Sequence, residues 1–170
     1  MTAHEAFMCL AIEEAEKAAA LGEIPVGAVV ARGGEVLSRA GNRREALNDP
    51  TAHAEMLAMR GAAQALGDWR LSGCTLYVTL EPCPMCAGAI ALARLDAVWY
   101  GASDPRMGCC GSVYRLTEDP AFAGRTPASG GLLSAECAAI LTRFFQNRRE
   151  RSHVSANSEY AHRPADDSGE

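Results

Sequence analysis

A chain of 170 residues has the length of one domain and can bury enough surface to fold without disulfide or metal staples. Its hydrophobic fraction of 48% and charged fraction of 22% are ordinary globular usage, which excludes global disorder, and no apolar run is long enough to span a bilayer. The net charge of −5 speaks against indiscriminate electrostatic binding of nucleic acid, although Glu159, Asp166, Asp167 and Glu170 concentrate much of it near the end and leave the body nearly neutral.

The opening Met1-Thr2-Ala3-His4-Glu5 has no basic stretch leading into an apolar one, so no cleaved secretory signal is expected. Seven cysteines, an odd number at irregular spacing, do not make a disulfide framework and suit a reducing compartment. A cytoplasmic protein without a membrane partner is expected.

From Thr2 to Leu21, Phe7, Leu10, Ala11, Ala15 and Ala18 recur at helical spacing, with Glu13, Glu14, Glu16 and Lys17 on other faces. Gly22 ends this helix. Val26 to Ala31 reads as a buried strand, joined through Arg32-Gly33-Gly34 to Glu35–Ala40 in a hairpin. Gly41 to Pro50 is polar and loop-like. Thr51 stands where it can cap a helix from Ala52 to Leu66, with Met56, Met59, Ala63 and Leu66 on one face and His53 and Glu55 in the first turn.

Within Leu71 to Leu80, the β-rich run from Thr75 predicts a central strand. It leads straight into Glu81-Pro82-Cys83-Pro84-Met85-Cys86, where Pro84 suits an early position of a helix ending near Arg94. Ala97 to Tyr100 predicts a further strand. Gly101 to Gly111 is a glycine-punctuated loop with a short helix towards Leu116, and Ala121 to Gly131 reads as mobile. Cys137, Ile140, Leu141, Phe144 and Phe145 predict a helix packed on the sheet and ending at Arg148-Arg149-Glu150-Arg151. The polar sequence that follows predicts a disordered tail over residues 152–170, so residues 1–151 form the domain, with no repeat and no second unit.

Three soft or borderline metal ligands arise at two helix starts: His53, and the pair Cys83 and Cys86. Two sulfurs two residues apart at a helix start can reach one zinc, and a histidine from a neighbouring helix supplies a third ligand. Three protein ligands leave a position for water, the arrangement of a catalytic rather than a structural zinc. Glu55, two residues after His53, can approach that water without being a ligand and so serve as a proton shuttle. Cys-x-x-Cys alone also fits a redox pair or a structural knuckle, for which Cys74 would be the best fourth ligand; Cys9, Cys109, Cys110 and Cys137 read as ordinary thiols.

With these motifs the chain resembles the bacterial tRNA adenosine deaminases of the cytidine-deaminase-like family, whose zinc sites carry H-x-E and P-C-x-x-C. The resemblance runs through Glu23–Val29, Gly41-Asn42-Arg43, Asp49–Glu55 and Thr75–Gly88, then Gly101-Ala-Ser-Asp104 with Gly108 and Gly111-Ser112, and Phe144-Phe145 before Arg148-Arg149. The last two blocks look more particular to the tRNA-acting type. It implies a three-layer α/β/α fold, a mixed sheet of five strands with helices on both faces, one zinc per subunit, and a homodimer that completes the RNA-binding surface. It further implies deamination of the wobble adenosine of a tRNA anticodon stem-loop to inosine, with Glu55 cycling protons.

Asn42 matches an asparagine that contacts the target nucleoside, Asp104 lies in the loop expected near the flipped nucleotide, and Arg106 joins them as a substrate-binding candidate. Arg143, Arg148 and Arg149 are the candidates for the RNA backbone. Bland readings stand beside these: Asn42 can stabilise a turn, Asp104 before Pro105 can open one, and the arginines can form a solvated face. Arg44-Glu45-Ala46-Leu47 and Cys109-Cys110 depart from the family's usual loop sequences. Two other functions use the same features, namely a free guanine, cytosine or nucleoside deaminase, and a non-catalytic zinc-stabilised RNA-binding module.

Overall fold

Alternation along the strands divides the molecule into layers. In the computed structural model, which describes residues 1–160 and side chains as far as Arg151, β3 (Cys74–Leu80) turns Cys74, Leu76 and Val78 to one face and Tyr77 to the other. The first face packs α3 (Ala54–Leu66) and α4 (Pro84–Ala93) through Ala58, Met59, Ala62, Ala87 and Ile90. The second packs α1 (Ala3–Ala20) through Met8 and Ala11, and α5 (Ser134–Tyr160) through Cys137. Helices thus cover both faces, as a strand buried on both sides requires.

The sheet runs in the order β2-β1-β3-β4-β5, where β1 is Gly27–Arg32, β2 Glu35–Gly41, β4 Ala97–Ala102 and β5 Ala128–Ser129. β1 pairs antiparallel with both β2 and β3, while β3, β4 and β5 are parallel, so the sheet is mixed. The expected three-layer fold with five strands is present. At Gly27 a side chain has no room, because a Cβ there would overlap the Ala11 carbonyl; the missing side chain lets α1 lie directly on β1.

Local chemistry sets the helix ends. Thr2 and Glu5 form a reciprocal capping box at the start of α1. Gly67, at φ +64°, ends α3 in the left-handed conformation that costs glycine little. Four local readings change. Gly41–Pro50 contains a one-turn helix, α2 (Arg44–Leu47). Thr51 does not cap α3: its hydroxyl bonds Asp49, and His53 occupies the cap position instead. Phe145 is 40% exposed, stacked edge-on against Phe144 rather than packed on the sheet. The last helix continues past Arg151 to Tyr160, and the rest of the predicted tail lies outside the described residues.

Candidate metal centre and substrate pocket

Two helix starts meet at the C-terminal end of β3. His53 is the N-cap of α3, with extended backbone (φ −73°, ψ 153°), and Glu55 follows in its first turn. Cys83 is the N-cap of α4, Pro84 opens the helix, and Cys86 stands one turn inside. Neither cap residue uses its side chain to bond its own helix, so the imidazole and thiol are free to face each other.

His53 Nδ1 lies 3.7 Å from Cys83 Sγ and 3.6 Å from Cys86 Sγ, and all three ligand atoms fall within 4.8 Å of one another. Tetrahedral zinc, with Zn–S of about 2.3 Å and Zn–N of about 2.0 Å, would hold sulfur and nitrogen about 3.5 Å apart. The donor set and its spacing therefore fit zinc. Among the described residues no fourth histidine, cysteine or carboxylate joins this group, and Cys74 in particular lies outside it. That leaves the open coordination position of a catalytic site. All seven cysteines are free thiols.

Electrostatics differ sharply within this small space. The hydrogen bond from Cys86 pulls the Cys83 thiol down to about 4, while the same bond and burial push Cys86 far up. His53 is raised by its hydrogen bond to Cys83. Burial pushes Glu55, only 4% exposed, up to about 7, into the range where a carboxyl both takes and gives protons near neutral pH.

These residues open on a cavity of about 310 Å³ whose lining includes Asn42, Arg44, His53, Glu55, Cys83, Asp104 and Met107. Asn42 and Asp104 are brought together with the ligands; Arg106 is exposed and absent from the lining. Both loop residues also have the turn-forming roles that sequence left open. Asn42 donates its amide to Glu23 and to the Ile24 carbonyl, and Asp104 Oδ1 accepts from the backbone N–H groups of Arg106 and Met107. Arg143 and Arg148 line a separate groove of about 460 Å³ between α5 and the end of α1, where Arg143 pairs with Glu16 at 3.7 Å; Arg149 is exposed on the same helix.

Residues 1–102 match the family model for the cytidine and deoxycytidylate deaminase zinc-binding region. The chain belongs to this deaminase family. Within it, the chain is 48% identical over 155 residues to a tRNA-specific adenosine deaminase of Bacillus subtilis, covering 91% of this chain and 96% of that protein. A solved structure of a tRNA:A34 deaminase, which edits A to I at the wobble position, superposes with a TM-score of 0.77 at 47% identity over 79% of this chain and 98% of that one. A guanine deaminase structure from Bacillus subtilis is 44% identical over a smaller share, 61% of this chain and 66% of that one, with a TM-score of 0.57. Zinc is the family's metal, and the site described above suits it.

Sequence reasoning missed two buried carboxylates that build this pocket, Glu23 and Glu81, exposed by 1% and 2%. Glu23 accepts from Asn42 Nδ2 and from the backbone N–H groups of Glu45 and Ala46, holding α2 against the pocket. Glu81 accepts from the backbone N–H groups of Asp104, Cys110 and Ser112 and from the Ser112 hydroxyl. A signal was present in each case: an acidic residue abutting an apolar strand, where an unpaired carboxylate would be costly.

Proposed function

We propose that this protein is a zinc-dependent hydrolytic deaminase that converts adenosine to inosine at the wobble position of a tRNA anticodon loop, releasing ammonia. The observation that carries the chemistry is the convergence of His53, Cys83 and Cys86 on one point beside the buried carboxyl of Glu55. Identity of 48% along nearly the full length of a tRNA-specific adenosine deaminase supports the substrate.

Bound by His53, Cys83 and Cys86, zinc would supply the Lewis acidity that brings the pKa of water down towards about 7. Glu55 takes the proton that the attacking water gives up and passes it to the ring nitrogen next to C6 as the C–O bond forms. It then takes the proton of the new C6 hydroxyl and delivers it to the exocyclic amine. The C–N bond breaks, ammonia leaves, and the carbonyl of inosine remains. Its burial excludes bulk water from competing for that proton. Asn42 and Asp104, which line the pocket, are assigned to the flipped nucleotide, and Arg143, Arg148 and Arg149 to backbone phosphates. An anticodon loop suits such a pocket because its unstacked bases can be splayed out.

A cytoplasmic protein is part of the reading, supported by a tRNA-modifying role; no helix among the described residues is long and apolar enough to cross a membrane. A homodimer is part of the reading, supported by the exposed apolar side chains Trp69 and Leu92, which line one groove. Light scattering that finds only monomer at working concentration would reject it.

The deciding experiment incubates the zinc-loaded protein with an anticodon stem-loop and, in parallel, with free guanine, cytosine and cytidine. Inosine appearing in the RNA alone is the expected result. Ammonia release from a free base without RNA editing would move the assignment to the small-molecule deaminases, and no reaction at all would leave a zinc-stabilised binding module.

A further inference from the structure

The pocket wall from Asp104 to Met107 is anchored by a side chain that stands one strand away. Glu81 leaves the end of β3 and its own N–H donates to the Ala102 carbonyl at 2.8 Å, so its backbone is fixed to β4. From there the carboxylate reaches across the following loop. One oxygen, Oε1, accepts from Cys110 N at 3.1 Å and Ser112 N at 2.9 Å; the other, Oε2, accepts from Asp104 N at 2.9 Å and from the Ser112 hydroxyl. The loop wraps so closely around it that a Cβ at Gly108 would overlap both the Glu81 carboxylate and the Asp104 carbonyl oxygen. Gly108 N in turn donates to that carbonyl at 2.9 Å, and Cys109 N donates to the Pro82 carbonyl at 2.9 Å, next to the Cys83 ligand.

We infer that Glu81 is a positioning residue for the substrate pocket: its carboxylate gathers the 104–112 loop and so sets the distance between the metal helix, whose cap Cys83 stands two residues later, and the wall carrying Asp104 and Met107. Cys109 N–H ties the same loop to the Pro82 carbonyl, but Asp104, Cys110 and Ser112 all converge on the Glu81 carboxylate. Asp104 and Met107 line the cavity with Glu81 itself, so a shift of the loop changes the pocket shape without touching His53, Cys83 or Cys86.

The atoms make the claim specific. A glutamine at this position has the same shape but one acceptor oxygen and one N–H₂ donor. With its oxygen towards Cys110 and Ser112, the new amide faces Ser112 Oγ, which can accept, and the Asp104 N–H, which cannot. The turned-over amide opposes two backbone donors instead of one. The favoured arrangement therefore releases Asp104 first, leaving the other end of the loop attached.

The functional half rests on the deaminase reading above, so the test has two arms on the zinc-loaded full chain. In the first, amide hydrogen exchange of Glu81→Gln is compared with the parent. Faster exchange at Asp104, with Tyr77 in β3 and Ala87 in α4 unchanged, is expected; unchanged exchange at Asp104 overturns the inference. In the second, kinetics on the anticodon stem-loop should show KM raised about tenfold, kcat changed less than about threefold and zinc content unaltered. Ser112→Ala, which removes one hydroxyl bond and keeps the carboxylate, should move KM the same way by about threefold. A fall in kcat that tracks loss of zinc would assign Glu81 to the metal helix and overturn the inference. If the parent edits no RNA, the deaminase reading fails on its own and the exchange arm still decides the clamp.

Discussion

The floor of the pocket and its walls are held in different ways. His53 and Cys83 are held by helix starts, with Glu55 and Cys86 within a turn of them, so four functional side chains inherit their places from two segments of backbone. The walls around Asn42 and Asp104 contain only a one-turn helix and an irregular loop, and each is tied by a buried glutamate, Glu23 in the connection between α1 and β1 and Glu81 just past the end of β3. The same residue type serves opposite ends. Glu55 is buried with few donors and its carboxyl is pushed up to about 7, whereas Glu81 is buried among three backbone N–H groups and a hydroxyl. On the proposed reading, burial with few donors suits Glu55 to carry protons, and burial among many suits Glu81 to hold a loop.

The largest effect should come from breaking the floor at the metal. Cys86→Ala removes a fully buried ligand, and metal analysis should find zinc lost together with deamination, to the level of the uncatalysed reaction. Glu55→Gln separates chemistry from metal: zinc stays bound while kcat falls about 10³-fold, the range for losing a general acid and base. Near-normal turnover in that variant would remove Glu55 from proton transfer.

A wall substitution should act more gently. Glu23→Gln keeps one acceptor, which can serve the Ala46 N–H at 2.7 Å, but sets a new N–H₂ against both the Asn42 amide nitrogen and the Glu45 backbone N–H, which loses its partner. The relief is for Asn42 to turn over, giving up its bond to the Ile24 carbonyl and presenting the other end of its amide to the pocket. We expect a loss of about 1–2 kcal/mol in denaturant unfolding and a several-fold rise in KM, with zinc content unchanged. An equal loss of kcat would mean that wall and floor are not separable.

This division also decides what the sequence could disclose. The floor was legible because its residues lie within short motifs, and backbone placement of the motifs at helix starts is a local property. The hairpin of β1 and β2, the central strand β3 and helices α1, α3 and α4 were readable for the same reason, through period and end signals. The walls were not. Glu23 and Glu81 find their partners 19 to 31 residues away, and no local pattern records such a pairing. α2 escaped notice because one turn has almost no intrinsic stability and forms here on the Glu23 carboxylate. β5 has only Ala128 and Ser129, whose strand conformation comes from pairing with Val98 and Trp99 rather than from propensity. Thr51 was read as a cap by residue type, yet Asp49 competes for its hydroxyl, and the cap position falls to a metal-ligand candidate that must keep its side chain free.

The smallest effect should lie outside both floor and walls, in the groove between α1 and α5. Arg143, Arg148 and Arg151 collect there, Arg143 paired with Glu16, although the body of the chain is nearly neutral. Phosphate contacts made by such residues act through release of counterions, which gives them a signature that pocket residues lack. Arg148→Ala should weaken anticodon stem-loop binding a few-fold and reduce the slope of log K against log salt by about 1, with kcat at saturating RNA unchanged. A pocket substitution such as Glu23→Gln should leave that slope intact, since it alters fit around a base and not the number of neutralised phosphates. Should Arg148→Ala leave the salt slope unaltered, the groove is a solvated face, and recognition of the RNA must be carried by the surfaces nearer Asn42 and Asp104.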